Sequence, residues 1–265
     1  MPNERSTKEQ IKHFAAEDKW KGGYFEGDPL DPMSPSTYSV FGYMSIIHAT
    51  YLACIKPYVN ANTRVLEIGP GRGAWTRTFL HAREVVCLDA LSAEHNGFWD
   101  YVGGAPNVQY HQVDDFECRV LPENHFDYLF SFGCFCHISP AGSREYLRNL
   151  YGKLTSGAHG FIMIGDHKKR QAMIRNSGQL SSFRMLNKRR FWPARFLYRL
   201  IYSLHPGDDL KPVRERSEEE QFKRVWFHNL GMDRACNMLD EAGFRVIDRD
   251  VGTVYRDVIL HFVKP

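Results

Sequence analysis

The sequence predicts an α/β fold: a Rossmann-like seven-stranded sheet, mostly parallel, with an antiparallel final strand. The 265-residue chain is 43% hydrophobic and 25% charged, which is ordinary globular composition. Short apolar runs alternate with helical patterns from residue 65 onward, which is typical of a parallel sheet covered by helices. The last two runs are close in sequence and predict a hairpin. The formal net charge of +3 excludes no class of partner.

Seven apolar runs are predicted strands, and the segments between them predict helices. The strands are expected at 65–68, 84–90, 108–113, 126–133, 161–166, 245–251 and 255–265. Apolar residues at helical spacing predict helices over 37–59, 73–82, 140–158 and 232–244. Pro57 ends the first of these helices. Only a short turn around Gly252 joins the last two strands, so the final strand is expected to run antiparallel to its neighbour.

The alternation of strands and helices divides the chain into three parts. Residues 1–59 are predicted to form an N-terminal helical lid. Residues 60–166 and 226–265 are predicted to form the core, and residues 167–225 a helical insertion after strand five.

A glycine-rich turn joins the first predicted strand to the next helix in VLEIGPGRGAW, residues 65–75. Such a turn places backbone N–H groups at the carboxyl edge of the strand, where a ligand can approach the main chain closely. Gly69, Gly71 and Ala74 satisfy the dinucleotide pattern G-x-G-x-x-G/A. About 60 residues precede the turn, however, and a dinucleotide fold does not require the terminal hairpin. A P-loop is excluded because no GK[ST] follows.

Several motifs accompany the glycine turn in a fixed order. Glu67 stands two residues before the first glycine, Asp89 ends the strand in VVCLDA, and Asp114 and Asp115 follow VQYHQV. FDYLFSFGCFCHI and EAGFRV come later. As a set, these motifs resemble the class I S-adenosylmethionine-dependent methyltransferase superfamily. FDYLFSFGCFCHIS resembles its small-molecule and sugar O-methyltransferases. The resemblance implies an enzyme whose core binds S-adenosyl-L-methionine.

The resemblance also implies roles for individual residues at the ends of the first three strands. Glu67 would contact the cationic amino end of the cofactor, and Asp89 would accept hydrogen bonds from both ribose hydroxyls. Asp114 or Asp115 would accept from the adenine amino group. The other residues expected around the cofactor are Gly69, Pro70, Gly71, Gly73, Ala90 and Phe132.

Methyl transfer to a hydroxyl needs orientation and a base, and four residues are candidates. His137 follows the fourth strand and faces the crevice at the carboxyl ends of the strands. Asp166 and His167 follow the fifth strand, and His228 comes after the insertion. Any of the three histidines could be the base. Asp166 and His167 could instead hold the acceptor or a Mg²⁺ ion, although a full set of metal ligands cannot be located.

The insertion is strongly basic. Between residues 167 and 207 it contains ten Lys or Arg and no Asp or Glu. The stretch 189–204 combines apolar residues at helical spacing with arginines, which predicts an amphipathic helix with a basic face. Three interpretations stay open: a lid with a solvated face, a cap that binds an anionic acceptor, and attachment to an anionic membrane surface.

The leading hypothesis is an O-methyltransferase acting on a small or glycan-like acceptor, such as a sugar. An N- or C-methyltransferase on a natural product and a non-catalytic cofactor-binding interaction protein are the alternatives. SFGC stands where nucleic-acid methyltransferases carry NPPY or DPPY, which argues against a nucleic-acid partner. No segment predicts a membrane span or secretory signal, and the six cysteines form no CxxC, so a cytoplasmic protein is expected. The sequence does not predict an oligomeric state.

Overall fold

A computed structural model describes residues 28–34, 45–173 and 228–265 of the protein. Much of the predicted lid and most of the predicted insertion, including the basic stretch 189–204, lie outside the described residues. The division of the chain into lid, core and insertion therefore stays a prediction.

Seven strands form one sheet in the order β3-β2-β1-β4-β5-β7-β6. They are β1 (Arg64–Ile68), β2 (Glu84–Asp89), β3 (Val108–Gln112), β4 (Phe126–Ser131), β5 (Leu154–Ile164), β6 (Arg245–Asp248) and β7 (Val258–Val263). Strands β1 to β5 pair in parallel, whereas β7 is antiparallel to both β5 and β6. The predicted Rossmann-like α/β fold with an antiparallel final strand is confirmed.

Short helices cover both faces of the sheet. They are α1 (Ile46–Thr50), which continues as a π-helical turn (Tyr51–Ile55), a 3₁₀ turn (Thr76–Phe79), α2 (Ala93–Asn96), α3 (Phe98–Val102), a second 3₁₀ turn (Phe135–His137), α4 (Pro140–Lys153) and α5 (Met232–Ala242). Residues 167–173 are also helical. Helices α4 and α5 share a core with Leu66, and α1, α2 and α3 share one with Val65 on the opposite face. None of the helices in the described residues is both long and apolar enough to cross a membrane.

The prediction of a helix over 73–82 is wrong. The structure has only the 3₁₀ turn Thr76–Phe79 there, after a series of turns. Thr76 Oγ1 donates to the Glu67 carboxylate at 2.6 Å, and Thr78 Oγ1 donates to the Trp75 carbonyl, also at 2.6 Å. The Thr78 hydroxyl bonds within its own turn and so competes with helical backbone hydrogen bonds, while the Thr76 hydroxyl is held by β1. These bonds accompany a short 3₁₀ turn in place of the long helix.

Helix α4 begins as predicted and ends earlier than the predicted residue 158. The Ser139 side chain caps it by accepting from the Gly142 N–H at 3.2 Å, and Pro140 occupies its first turn. The helix stops at Lys153 because β5 starts at the next residue. The Gly157 N–H donates to the Lys264 carbonyl at 2.8 Å, which ties the extended chain to the end of β7 instead of capping a helix.

The terminal hairpin is confirmed, but its strands are shorter than predicted and residues 249–257 connect them. Asp248 Oδ1 accepts from the Asp250 N–H at 2.9 Å, and Asp250 Oδ1 accepts from the Gly252 N–H at 3.1 Å. These side-chain turns take the chain out of the strand ladder. The connection is therefore a structured loop.

One edge of the sheet gathers the ends of several strands. Because β1, β2, β4 and β5 are parallel, their carboxyl ends lie together at this edge. Strand β7 runs the other way, so its amino end joins them, and Ile164 pairs with Val258. Loops at such an edge are where open α/β sheets bind ligands.

Candidate active site

In the glycine turn after β1, Gly69 and Gly73 pack closely against other residues, whereas Gly71 has an open face. Gly69 and Gly71 have φ values of +72° and +54°, in the left-handed region that favours glycine. A Cβ on Gly69 would lie 2.5 Å from the Cβ of Cys134 after β4, and one on Gly73 would clash with α3. At Gly71, no described atom lies within 4 Å of the Cβ position. Pro70 is buried, so the room for a ligand is at Gly71.

Asp89, the last residue of β2, is buried beside the open face of Gly71. Its Oδ2 accepts from the Gly71 N–H at 3.0 Å, and its Oδ1 accepts from the Leu91 N–H at 2.9 Å. Burial raises the pKa of Asp89, and hydrogen bonds from Leu91, Gly71 and Asn96 oppose the rise. A carboxylate offers about four acceptor positions, so Asp89 can still accept from a ligand. Ala90, next in the chain, is half-buried.

Glu67 is a second buried carboxylate near the glycine turn. Thr76 Oγ1 donates to its Oε2 at 2.6 Å, and the Cys87 thiol donates to the same oxygen at 3.6 Å. Burial raises the pKa of Glu67 to about 7; the hydrogen bonds from Thr76 and Cys87 oppose the rise, and the charge of Asp89 adds to it. At neutral pH the Glu67 carboxyl is therefore near half ionisation, and a nearby cation would favour its charged form.

The other predicted cofactor residues lie after β3 and β4. Asp114 is exposed and Asp115 is half-buried. Asp115 Oδ1 accepts from the Glu117 N–H at 2.9 Å, so that carboxylate shapes its own loop. Phe132 is buried against Trp75, with ring centroids 4.8 Å apart. Of the two aspartates, Asp114 is the more accessible to a ligand.

Two of the predicted histidines meet in the loop after β4. The N–H of His137 donates to the Cys134 carbonyl at 2.8 Å, and the N–H of His228 donates to the Cys136 carbonyl at 2.6 Å. Burial lowers the pKa of His228 to about 4, and the charge of His137 contributes. The His228 imidazole is therefore neutral at pH 7 and lies close enough to His137 for the two to interact.

Asp166 and His167 follow β5 and are held by local hydrogen bonds. Asp166 is buried, its Oδ1 accepts from the Lys169 N–H at 2.9 Å, and its Oδ2 accepts from the Met232 N–H at 2.9 Å. The His167 N–H donates to Asn229 Oδ1 at 3.0 Å. Asp166 thus caps the helical residues 167–173 and joins them to α5. Both of its oxygens are used in this framework.

Sequence reasoning missed a charged cluster at the amino end of β7. Lys169 Nζ donates to Asp250 Oδ2 at 2.6 Å and to the Asp257 carbonyl at 2.8 Å. Arg256 Nε donates to Asp257 Oδ2 at 2.6 Å, and Asp257 Oδ1 is buried with no hydrogen-bond partner in the part of the chain described. Burial raises the pKa of Asp257, and Arg256 leads the cations that oppose the rise. In the sequence, the charged pair Arg256 and Asp257 stands before an apolar run, and both residues were included in the predicted strand 255–265.

Metal ligands are not evident in the structure either. Within residues 28–34, 45–173 and 228–265, no three His, Cys, Asp or Glu side chains are grouped so that they could hold a metal ion. All six cysteines are free thiols. The described residues thus offer no ready-made site for the Mg²⁺ ion that the sequence left open.

The residues around the glycine turn fit a ligand that carries a positive charge and ribose hydroxyls. Gly71 provides the open face, Asp89 provides acceptor positions beside it, and a ligand cation nearby would stabilise ionised Glu67. S-adenosyl-L-methionine has these features in its sulfonium, amino-acid tail and ribose. Together with the seven-stranded sheet and its antiparallel final strand, they define a class I S-adenosylmethionine-dependent methyltransferase.

Comparison with known families agrees with this class. The family model described as a methyltransferase domain matches residues 43–213, more than half of the chain. The chain belongs to this methyltransferase family. It is an enzyme, and its methyl donor is S-adenosylmethionine. Among curated proteins, no sequence relative matches the chain.

Solved structures share the fold at low sequence identity. A Pyrococcus horikoshii protein is 13% identical with a TM-score of 0.56, covering 96% of this chain and 99% of that one. The N-methyltransferase NodS from Bradyrhizobium japonicum, in complex with S-adenosyl-L-homocysteine, is 12% identical with a TM-score of 0.53, covering 98% and 100%. An S-adenosylmethionine-dependent methyltransferase from Mesorhizobium loti is 13% identical with a TM-score of 0.52, covering 82% and 96%.

Proposed function

We propose that the protein is an O-methyltransferase that acts on a hydroxyl of a small or glycan-like acceptor, such as a sugar. The observation that supports this proposal is that His137 and His228 lie together at the loop after β4, in which Cys134 packs against Gly69 of the glycine turn. A hydroxyl acceptor needs a group that takes its proton, and an imidazole beside the methyl donor can do so.

The low pKa of His228 makes it the weaker candidate for the base. His228, with a pKa of about 4, holds a proton poorly at pH 7. We therefore assign proton removal from the acceptor hydroxyl to His137. His228, neutral and beside it, accepts a hydrogen bond or orients the acceptor. Asp166 caps residues 167–173 and ties them to α5, so we assign it and the neighbouring His167 to the framework of the acceptor side.

The cofactor residues have separate tasks in this proposal. S-adenosylmethionine, when bound, supplies a methyl group on a positively charged sulfur. Asp89 would accept from the ribose hydroxyls, and Glu67 would stabilise the cationic amino end. Asp114, the more accessible of the two aspartates after β3, would accept from the adenine amino group. The glycine turn, which the close approach of Cys134 fixes, would hold the ligand in one orientation.

The predicted basic insertion, residues 167–225, is the part of the chain that we propose binds the acceptor. Residues on both sides of this insertion are tied to the carboxyl edge of the sheet. The Gly231 N–H donates to the Gly165 carbonyl at 3.0 Å, and Lys169 joins the loop before β7. A basic cap at this edge suits an anionic acceptor or an anionic membrane surface. A cytoplasmic location is consistent with the free thiols.

Transfer of labelled methyl groups to a panel of acceptors tests the proposal. The panel holds sugars, nucleotide sugars, glycolipids and capsule fragments, each beside an analogue in which an amine replaces one hydroxyl. We expect label on oxygen, established by NMR of the product, and no transfer by the His137→Ala variant. Label only on nitrogen or carbon would instead support the natural-product alternative. Cofactor binding with no transfer to any acceptor would support an interaction protein. A chelator in the same assay reports any metal requirement.

A further inference from the structure

A half-buried tyrosine hydroxyl is linked to Asp89 through Leu91. Tyr110 lies on β3, and its ring packs edge-on against Phe98 with centroids 4.7 Å apart. Its hydroxyl donates to the Leu91 carbonyl at 2.7 Å and accepts from Asn96 Nδ2 at 2.8 Å. The hydroxyl is thus fixed from two sides and joins β3 to the turn that follows β2.

Leu91 is the residue through which this hydroxyl reaches Asp89. The Leu91 N–H donates to Asp89 Oδ1 at 2.9 Å, while the Leu91 carbonyl is held by Tyr110. The N–H and the carbonyl of Leu91 belong to the two peptide planes on either side of its Cα, and both planes are held because both groups are hydrogen-bonded. Asn96 is itself buried, and its hydrogen bonding to Asp89 is one of the causes that oppose the raised pKa of that carboxyl.

We propose that Tyr110 and Asn96 are positioning residues, which hold the Asp89 carboxylate so that its unoccupied acceptor positions face the ribose hydroxyls of the cofactor. This inference rests on the proposed contact of Asp89 with the ribose. The protein would then recognise the two ribose hydroxyls through a chain of hydrogen bonds that includes residues outside the glycine turn. Neither residue needs to touch the ligand. Their effect should therefore appear only with ligands that have hydroxyls for Asp89 to accept from.

The experiment compares two ligands on three proteins by calorimetry. The ligands are S-adenosylhomocysteine and its 2′,3′-dideoxy analogue, and the proteins are wild type, Tyr110→Phe and Tyr128→Phe. Tyr110→Phe removes the hydroxyl and keeps the ring against Phe98. Tyr128→Phe is the matched control, because its buried hydroxyl also donates to a carbonyl, that of Cys54, at 2.7 Å. Thermal melting of each variant reports any loss of folding.

We expect wild type to bind the dideoxy analogue about tenfold or more weakly than S-adenosylhomocysteine, as for lost charge-assisted hydrogen bonds. Tyr110→Phe should weaken the binding of S-adenosylhomocysteine about fivefold and the binding of the analogue less than twofold. The ratio between the two dissociation constants should therefore fall. Tyr128→Phe should keep the wild-type ratio. Asn96→Leu, which removes the amide, should lower the ratio as Tyr110→Phe does.

Two kinds of result would overturn the inference, and they are distinguishable. If wild type binds both ligands equally, the ribose role of Asp89 fails and the inference fails with it. If wild type binds S-adenosylhomocysteine more tightly than the analogue and Tyr110→Phe shows the same ratio, the ribose role of Asp89 stands and the positioning role of Tyr110 is wrong. A Tyr110→Phe variant that weakens both ligands equally would also contradict the positioning role, because a purely structural defect would not depend on the hydroxyls.

Discussion

Replacing Glu67 with glutamine should make the ligand-free protein more stable above pH 7. The structure buries this carboxyl, and its pKa rises from 4.5 to about 7. A raised carboxyl pKa means that the folded state holds the proton more tightly than the unfolded state. Stability linked to Glu67 is then fully present below pH 4.5 and is lost as the pH rises through 7. Glutamine has nearly the same shape and carries no proton to lose, so the variant should escape this loss.

The size of the effect follows from the shift. A pKa displaced from 4.5 to about 7 corresponds to about 3 kcal/mol between the two protonation states. The difference in unfolding free energy between Glu67→Gln and wild type should therefore grow by about 3 kcal/mol from pH 4.5 to pH 8. Asp89 and Asp257 also have raised pKa values from burial, and both are present in both proteins, so their contribution cancels to first order in the difference.

Urea unfolding at a series of pH values, without ligand, measures this difference. Glu241→Gln is the control, since that carboxylate is partly exposed and pairs with Arg144 at 3.0 Å on the surface. Surface pairs contribute about 0–1 kcal/mol, so the control should follow wild type closely at all pH values. If the unfolding free energies of Glu67→Gln and wild type differ by a constant amount from pH 5 to pH 8.5, burial does not raise the pKa of the Glu67 carboxyl.

Three further outcomes are expected from the geometry. Asp89→Ala should weaken S-adenosylhomocysteine binding about tenfold or more in calorimetry, and an unchanged affinity would remove its ribose role. His137→Ala should lose methyl transfer while it still binds the cofactor product, whereas normal transfer would move the base to His167 or His228. Gly73→Ala should lower the melting temperature by several degrees, because glycine there has φ +96° and an added methyl would clash with Val102; a melting curve that matches wild type would contradict that packing.

Much of the fold could be predicted because its signals are local. Apolar runs such as the one that ends in Asp89 predict strands whatever their partners are, and a short connection requires the last two strands to be antiparallel. The run at 161–166 also predicted a strand, although β5 begins earlier, at Leu154. The failed helix at 73–82 has a different cause. Its threonines bond to Glu67 and Trp75, and nothing in helical spacing reveals that Thr76 has a carboxylate nine residues earlier as its partner.

Site residues could be predicted only where a known motif specifies their positions. Glu67 and Asp89 stand at fixed distances around the glycines, so a resemblance identifies them. Tyr110 lies on β3 and Asp257 directly precedes β7, and in the sequence both look like ordinary strand residues. Their relation to the site exists only after β3 packs beside β2 and β7 runs back beside β5.

Buried carboxylates with raised pKa values cluster at the carboxyl edge of the sheet. Glu67, Asp89 and Asp257 are each enclosed, and burial is the first cause of the raised pKa in all three. Ionised carboxylates at this edge cost free energy because they are buried, and the apolar cores on both faces of the sheet must offset that cost. A ligand that brings a positive charge and hydrogen-bond donors to this edge relieves part of that cost. The same burial that weakens the ligand-free protein at high pH should strengthen its hold on a cationic methyl donor, because ionised carboxylates attract it most where water is excluded.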